Sequence, residues 1–453
     1  MPSYEARTFD DLLDTSPLGR LQIGVIIMCA LVAVADGLDT QAIALAAPDI
    51  ASDWGTSSSD FGFVFGIGLF GGLVGAIAFG RTSDRYGRRP NLLAAIAVFS
   101  VASLATPLAD SLTGLAVIRF LTGIGLGGAL PGVISLTSEY TPRRMRATVV
   151  GLMFCGFPLG AVIGGILSAR LIPAFGWQSV FVLGGAVPLL FLPVFWVLLP
   201  ESARFLSLSR DHRRLAAVLR RMGHTVGAET ILPEPAPTRS PVVRLFTDGR
   251  AAGTLLLWVT LFMSLLLTYL LINWIPLVAR DTGIGSSGAV LAVAALNLGS
   301  IAGQLVIGRL ADRRSPTGVT GTAFALGGVA IAAIGLAGHS SAALLATAFV
   351  AGFLSIGAQM CTVALCAIFY ETSLRATGVG WAMGIGRIGG IVGPVLGGFA
   401  VSAGTDVPLL FLLTGVASLC AGAAAFARSR TAPGSTRQPR SAALTASAAD
   451  QVP

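Results

Sequence analysis

Twelve times along this chain, about 20 residues in succession are predominantly apolar, the length at which a helix crosses a bilayer. The runs fall near 20–48, 60–80, 90–109, 112–137, 147–170, 178–199, 250–279, 287–309, 317–337, 342–370, 376–403 and 408–427. Composition agrees. Of the 453 residues, 54% are hydrophobic and only 11% charged, where a soluble protein carries about 25% charged. Most of the chain therefore belongs in a bilayer. The expected fold is an all-α membrane protein. Met1 to Gly19 is polar and mildly acidic, without the basic-then-apolar order of a cleavable signal.

A long polar break, Pro200 to Arg250, divides the helices six and six. The expected organisation is a leading segment (1–19), a six-helix bundle (20–199), a central loop (200–249), a second bundle (250–427) and a disordered tail (428–453). The two bundles read as a repeat. G-R-T-S-D-R at Gly80 to Arg85 returns as G-R-L-A-D-R at Gly308 to Arg313, and R-A-T at Arg146 to Thr148 returns at Arg375 to Thr377. Both offsets are about 228 residues, half the chain. Parallel six-helix repeats are a known transporter plan, with the site at the repeat interface near the midplane.

All 30 basic side chains are arginine, and the net charge is +8. They mark one side of the membrane rather than a nucleic-acid surface. Arg81, Arg85, Arg88 and Arg89 follow the second helix, Arg143, Arg144 and Arg146 the fourth, and Arg313 and Arg314 the eighth. The central break is Arg-rich too. By the positive-inside rule this side is cytoplasmic, as are both termini. In the central break, Ser202 to Gly223 is expected to form one amphipathic helix on the membrane face, with Phe205, Leu206, Leu215 and Leu219 on its apolar side. Pro233 to Pro241 reads as a flexible link. The histidines, His212, His224 and His339, lie in expected loops, and no metal-ligand spacing occurs.

The first apolar run contains two carboxylates, Asp36 and Asp39, three apart and so on one face of a helix. An ionised Asp at a bilayer centre costs roughly 2.5–3.5 kcal/mol, so such a pair marks a substrate or proton pathway by default. Arg119, early in the fourth helix, and Arg387, midway along the eleventh, balance them in number. A charge network that only holds helices together is the alternative. In the functional reading a guanidinium binds a carboxylate bidentately, with Arg387 the first choice and Arg119 the second. Asp39 is expected to carry a proton and Asp36 to pair with a buried arginine. Gln41, Tyr269, Asn273, Trp274 and Gln359 are the other groups expected to face a cavity.

G-R-T-S-D-R-Y-G-R-R at Gly80 to Arg89 resembles the signature loop of the major facilitator superfamily, and P-E-S-A-R-F at Pro200 to Phe205 is similar to its signature after the sixth helix. A narrower likeness follows. D-G-L-D-T-Q (Asp36 to Gln41), R-F-L-T-G-I-G-L-G-G-A-L-P (Arg119 to Pro131), S-E-Y (Ser138 to Tyr140), N-W (Asn273, Trp274) and G-W-A-M-G-I-G-R (Gly380 to Arg387) resemble the aromatic acid:proton symporters. The resemblance implies a fold of two six-helix halves. It also implies import of a benzoate- or hydroxybenzoate-type carboxylate by proton symport with alternating access. It implies functional roles for Asp36, Asp39, Arg119 and Arg387. A conformational latch is expected from Gly80, Asp84, Arg85, Gly87, Arg88, Glu139 and Asp312, with the Asp84 carboxylate at the N-terminus of a neighbouring helix and Arg85, Arg88 and Arg89 on helix C-termini or lipid phosphates. The second signature loop, D-R-R-S-P, lacks the glycine of the first and is expected to be less tightly built.

The expected partners are the small aromatic acid, protons and membrane lipid, with the chain acting as a monomer in the inner membrane. No cofactor, metal or nucleic acid is expected. Symport of a non-aromatic carboxylate is the runner-up. A drug:proton exporter fits the signature loop but not the aspartate pair. An enzyme is disfavoured because no nucleophile–base pairing occurs.

Overall fold

The computed structural model describes residues 7–14, 18–209, 211–223, 231–232, 242–281, 286–337 and 340–429. Among them twelve helices are long and apolar enough to span a membrane. The first half holds Arg20–Trp54, Ser58–Ser83, Arg88–Leu108, Leu112–Glu139, Thr148–Phe175 and Gln178–Leu198. The second holds Ala251–Leu277, Gly288–Arg313, Pro316–Gly335, Ser341–Cys366, Thr377–Ser402 and Val407–Ser429. They are called spans one to twelve below. Two of them are irregular. Span five breaks at Cys155, because Pro158 has no N–H to offer the carbonyl of Phe154. Span ten contains a π-helical turn, Gly352–Ile356, of the kind often found at functional positions.

Glycine sets the packing within each half. A Cβ on Gly127 of span four would run into the backbone of Gly72 in span two, and one on Gly303 of span eight would run into the backbone of Phe353 in span ten. Small residues let membrane helices approach closely, and dispersion contacts then hold them. Spans two and four thus correspond to spans eight and ten, so the sequence repeat is also a repeat of contacts.

The halves meet through spans one and seven, two and eleven, and five and eight. At the Arg-poor end a shared apolar cluster seals them, with Phe61, Phe65 and Trp177 from one half and Leu270, Trp274 and Leu277 from the other. A Cβ on Gly62 would come within 2.9 Å of Gly398, so spans two and eleven touch backbone to backbone there. Toward the Arg-rich end the described clusters stay within one half: Leu92, Tyr140 and Leu215 in the first, and Leu245, Leu365 and Tyr370 in the second.

The central segment departs from expectation. In place of one helix it forms two, Ala203–Leu208 and His212–Arg221, and the Asp211 carboxylate caps the second by accepting from Arg214 N at 3.0 Å. His212 therefore opens a helix instead of lying in a loop. The apolar side does not lie on lipid either. Leu206, Leu215 and Leu219 are buried against Leu13, Leu92 and Tyr140, because the first bundle's own end offers an apolar surface nearer than the bilayer. A short helix, Phe9–Asp14, joins this cluster, and Arg7–Thr8 pairs in parallel with Ile231–Leu232. His224, His339, the link at Pro233 to Pro241 and the tail from Arg430 lie outside the described residues.

Candidate functional site

Four spans bring the polar groups together. Span one supplies Asp36, Asp39 and Thr40, span four Arg119 and Thr122, span seven Tyr269 and Asn273, and span eleven Arg387. They line one cavity, whose remaining wall, from spans one, two and four, is glycine and apolar side chains.

Arg119 is bound within the first half. Its Nη1 donates to Asp39 Oδ2 at 3.1 Å, and its Nη2 donates to Thr106 Oγ1 at 3.0 Å and Thr122 Oγ1 at 3.1 Å. The guanidinium sits over the Phe181 ring, 5.0 Å from its centroid. Ser103 Oγ donates to the other Asp39 oxygen at 2.6 Å. Three of the five guanidinium N–H groups are thus engaged, and among the described residues the Nε–H has no partner.

Asp36 is situated differently. It accepts one bond, from Thr40 Oγ1 at 3.2 Å, and among the described residues no cation lies within ion-pair distance of it. The expected order of the two aspartates is thus reversed: the partner of the buried arginine is Asp39, not Asp36. Three residues turn a helix by about 300°. That rotation aims Asp39 at spans three and four, while Asp36 remains on the cavity wall.

Arg387 is half-buried, and its one hydrogen bond among the described residues is a long one, Nη1 to Gly72 O at 3.3 Å. Of its five N–H donors, most remain available to a ligand. Asn273 is fixed by donation from its Nδ2 to Tyr269 O at 2.7 Å.

Three residues expected to face the cavity are absent from its wall. Gln41 is fully buried and accepts from Asn297 Nδ2 at 3.3 Å, bridging spans one and eight; it lies about 200° round the helix from Asp39. Trp274 is also fully buried. Its Nε1 donates to Pro394 O at 3.1 Å, and its ring stands edge-on to Phe65 in the seal. Gln359 accepts from Thr268 at 3.0 Å. The hydroxyls of Thr40 and Thr122 were missed. Their spacing after Asp36 and Arg119, at i+4 and i+3 on the same helix face, was the available signal.

Of the residues expected to form a latch, Arg88 and Glu139 join a polar lattice with Glu201 and Ser202 at the Arg-rich end of the first half. Glu139 is ion-paired with Arg88 and accepts from Ser202 Oγ. The expectation that Asp84 meets a helix N-terminus falls on a side chain outside the described residues. The N-terminus of helix Arg88–Ala105 is instead held by Glu201, whose Oε1 accepts from the Arg88 and Arg89 N–H groups at 2.8 and 3.0 Å. Arg89 also donates to Trp196 O near the end of span six, the expected contact of an arginine with a helix C-terminus. Gly87 has φ +100°, a conformation that favours glycine. Gly80, Arg85 and Asp312 make no contact with this lattice: a Cβ on Gly80 would meet nothing, Arg85 is exposed beside Tyr86, and Asp312 is exposed on span eight.

Two six-helix halves around a central polar cavity define a multi-pass membrane transporter rather than an enzyme. The chain belongs to the Major Facilitator Superfamily, whose sequence profile matches residues 29–368 and 257–450, and within it to the aromatic acid transporters. It is 40% identical to a gallate transporter of Pseudomonas putida over 92% of this chain and 94% of that protein. It is 40% identical to the 4-hydroxybenzoate transporter PcaK of Pseudomonas putida, over 84% and 86%. To the 3-(3-hydroxy-phenyl)propionate transporter of Escherichia coli the identity is 37%, over 88% and 92%. A crystal structure of a bacterial homologue of the human lysosomal transporter Spinster, inward-facing and unoccupied, has the same fold. Its TM-score is 0.70 at 18% identity, covering 91% of this chain and 98% of that one.

Proposed function

We propose that this chain imports a small aromatic carboxylate together with protons, by alternating access of the central cavity to the two sides of the inner membrane. The Arg-rich end and both termini face the cytoplasm, following the positive-inside rule. The observation that carries the reading is one cavity holding a carboxyl without a counter-ion, Asp36, and a guanidinium with donors to spare, Arg387. The named relatives carry gallate, 4-hydroxybenzoate and 3-(3-hydroxy-phenyl)propionate, which share a carboxylate on an aromatic skeleton.

In this reading Arg387 takes the substrate carboxylate, and the apolar wall of span two packs the ring. Asp36 carries the proton. A buried carboxyl with no cation against it can alternate between neutral and charged as water reaches it from either side, whereas Asp39 is engaged by Arg119. The arrangement with the Arg-poor end sealed is the one that releases substrate inward. Proton coupling answers an energetic need. An inside-negative potential opposes an entering monoanion by about 2.3 kcal/mol per 100 mV, and one co-transported proton cancels that term. The test is uptake of radiolabelled benzoate, hydroxybenzoates and gentisate into cells expressing the protein, with and without a protonophore. Accumulation that collapses with the protonophore is expected. Uptake of none of these acids, or accumulation indifferent to the protonophore, would sink the proposal.

A further inference from the structure

Tyr269 stands where the two chemistries of the cavity meet. It is half-buried on span seven, in the same wall as Asp36, Asn273 and Arg387. The ring is held in place: a Cβ on Gly390 of span eleven would come within 2.8 Å of Cδ2, so the ring lies against that helix, and the Tyr269 carbonyl accepts from Asn273. The hydroxyl itself makes no hydrogen bond among the described residues. A fixed ring with an unengaged O–H between an anion site and a cation calls for an acceptor.

We propose that Tyr269 is the positioning residue that makes affinity for the carboxylate depend on the protonation of Asp36; this rests on Arg387 as the carboxylate's partner and Asp36 as the proton site. A phenol has one O–H and serves one acceptor at a time. When Asp36 is ionised, the hydroxyl donates to it, in a charge-assisted bond. When Asp36 is protonated, it donates to the phenol oxygen, and the Tyr269 O–H turns to a remaining lone pair of the substrate carboxylate that Arg387 holds in its fork. No proton leaves Tyr269. Only hydrogen bonds change hands, and the charge change sits on Asp36. The other charged groups facing the cavity do not compete, since Asp39 on span one and Arg119 on span four are bonded to each other. Span two presents only glycine and apolar groups there, and Thr268 beside Tyr269 is engaged with Gln359.

The test is calorimetric titration of the purified full-length protein with 4-hydroxybenzoate at several pH values, for wild type and Tyr269→Phe. Wild-type affinity is expected to fall as pH rises through the titration of Asp36. Tyr269→Phe should bind about tenfold or more weakly at the acid end, the loss typical of one hydrogen bond to a charged group, and its affinity should be nearly independent of pH. Gly390→Ala keeps the phenol but moves the ring, and should flatten the same slope; it decides the matter if Tyr269→Phe does not fold. Asp36→Asn should abolish the slope while keeping tight binding, and adding Tyr269→Phe to it should still weaken binding. Wild-type affinity and slope in Tyr269→Phe, or an unaltered slope in Gly390→Ala, would overturn the role of Tyr269. A wild-type protein that binds 4-hydroxybenzoate with no pH slope would instead overturn the proton-coupling reading beneath it.

Discussion

The two aspartates of span one should respond in opposite ways to the same substitution. Asp39→Asn removes the counter-charge of Arg119, whose side chain is 5% exposed against 1% for Asp39. Burial this deep leaves no solvent screening to discount the loss. Arginine cannot shed its proton to escape, so the guanidinium is left with two threonine hydroxyls and the face of Phe181. Removing one partner of a buried pair costs about 3–5 kcal/mol. The new amide oxygen still accepts one bond, which places the expected loss near the lower figure. Asp36→Asn breaks no ion pair and keeps an acceptor for Thr40, so its stability should stay within about 1 kcal/mol of wild type.

Thermal unfolding of the purified protein in detergent, with uphill uptake and counterflow in proteoliposomes, separates the two. Asp39→Asn should unfold at a clearly lower temperature, and Arg119→Gln added to it should recover part of the loss by removing the stranded charge. Asp36→Asn should unfold normally, lose proton-driven accumulation and keep counterflow. The reasoning is refuted if Asp39→Asn is as stable as wild type and loses only accumulation, while Asp36→Asn still concentrates substrate with normal pH dependence. Asp39 would then be the carrier despite its guanidinium partner.

Other perturbations test the remaining parts. Arg387→Lys keeps the charge but loses the fork, so KM should rise about tenfold or more; near-normal KM and rate would move the carboxylate site elsewhere. Glu139→Gln leaves Arg88 with a neutral partner and should slow turnover while equilibrium binding is unchanged, and a large loss of binding in folded protein would contradict this. Gly62→Val drives a side chain into Gly398 and should open the Arg-poor end. In a background without the native cysteines, a membrane-impermeant thiol reagent should then label Ile50→Cys, a position fully buried in the seal, faster than it does without the Gly62 change.

The fold was legible because a bilayer leaves the backbone few options, and apolar runs of the right length announce each span. The residue types of the site were legible for a related reason. Charge inside an apolar run is costly, so Asp36, Asp39, Arg119 and Arg387 drew attention without any partner being known. What failed was rotation. The three-residue spacing said that both aspartates share a broad face, but not which edge of it meets span four. A polar or aromatic residue in a span can line a cavity or lock two helices, and Gln41 and Trp274 do the second. The amphipathic pattern of the central segment showed an apolar side without showing what covers it. The break at Cys155 had a signal in Pro158, whereas the π turn at Gly352 had none.

The placement of the latch lattice limits how it can act. Arg88 and Glu139 belong to the first half and Glu201 and Ser202 directly follow its last span, so their bonds do not clasp the two halves together. They brace one end of one bundle. The second half carries its own brace, with Arg250 paired to Asp248 and Glu371. In the alternating-access reading two braced ends move as bodies, and an outward-open arrangement must bring them together while separating Gly62 from Gly398. The contacts best placed to persist through such a rocking motion lie between spans five and eight, where Cys155 Sγ donates to Gln304 Oε1 at 3.8 Å. There the break in span five and the π turn packed on Gly303 leave the backbone least constrained by a regular helix. Loss of the Glu139 brace should therefore loosen one moving body and slow its rocking, while the cavity groups on spans one, four, seven and eleven keep their geometry and the substrate its affinity.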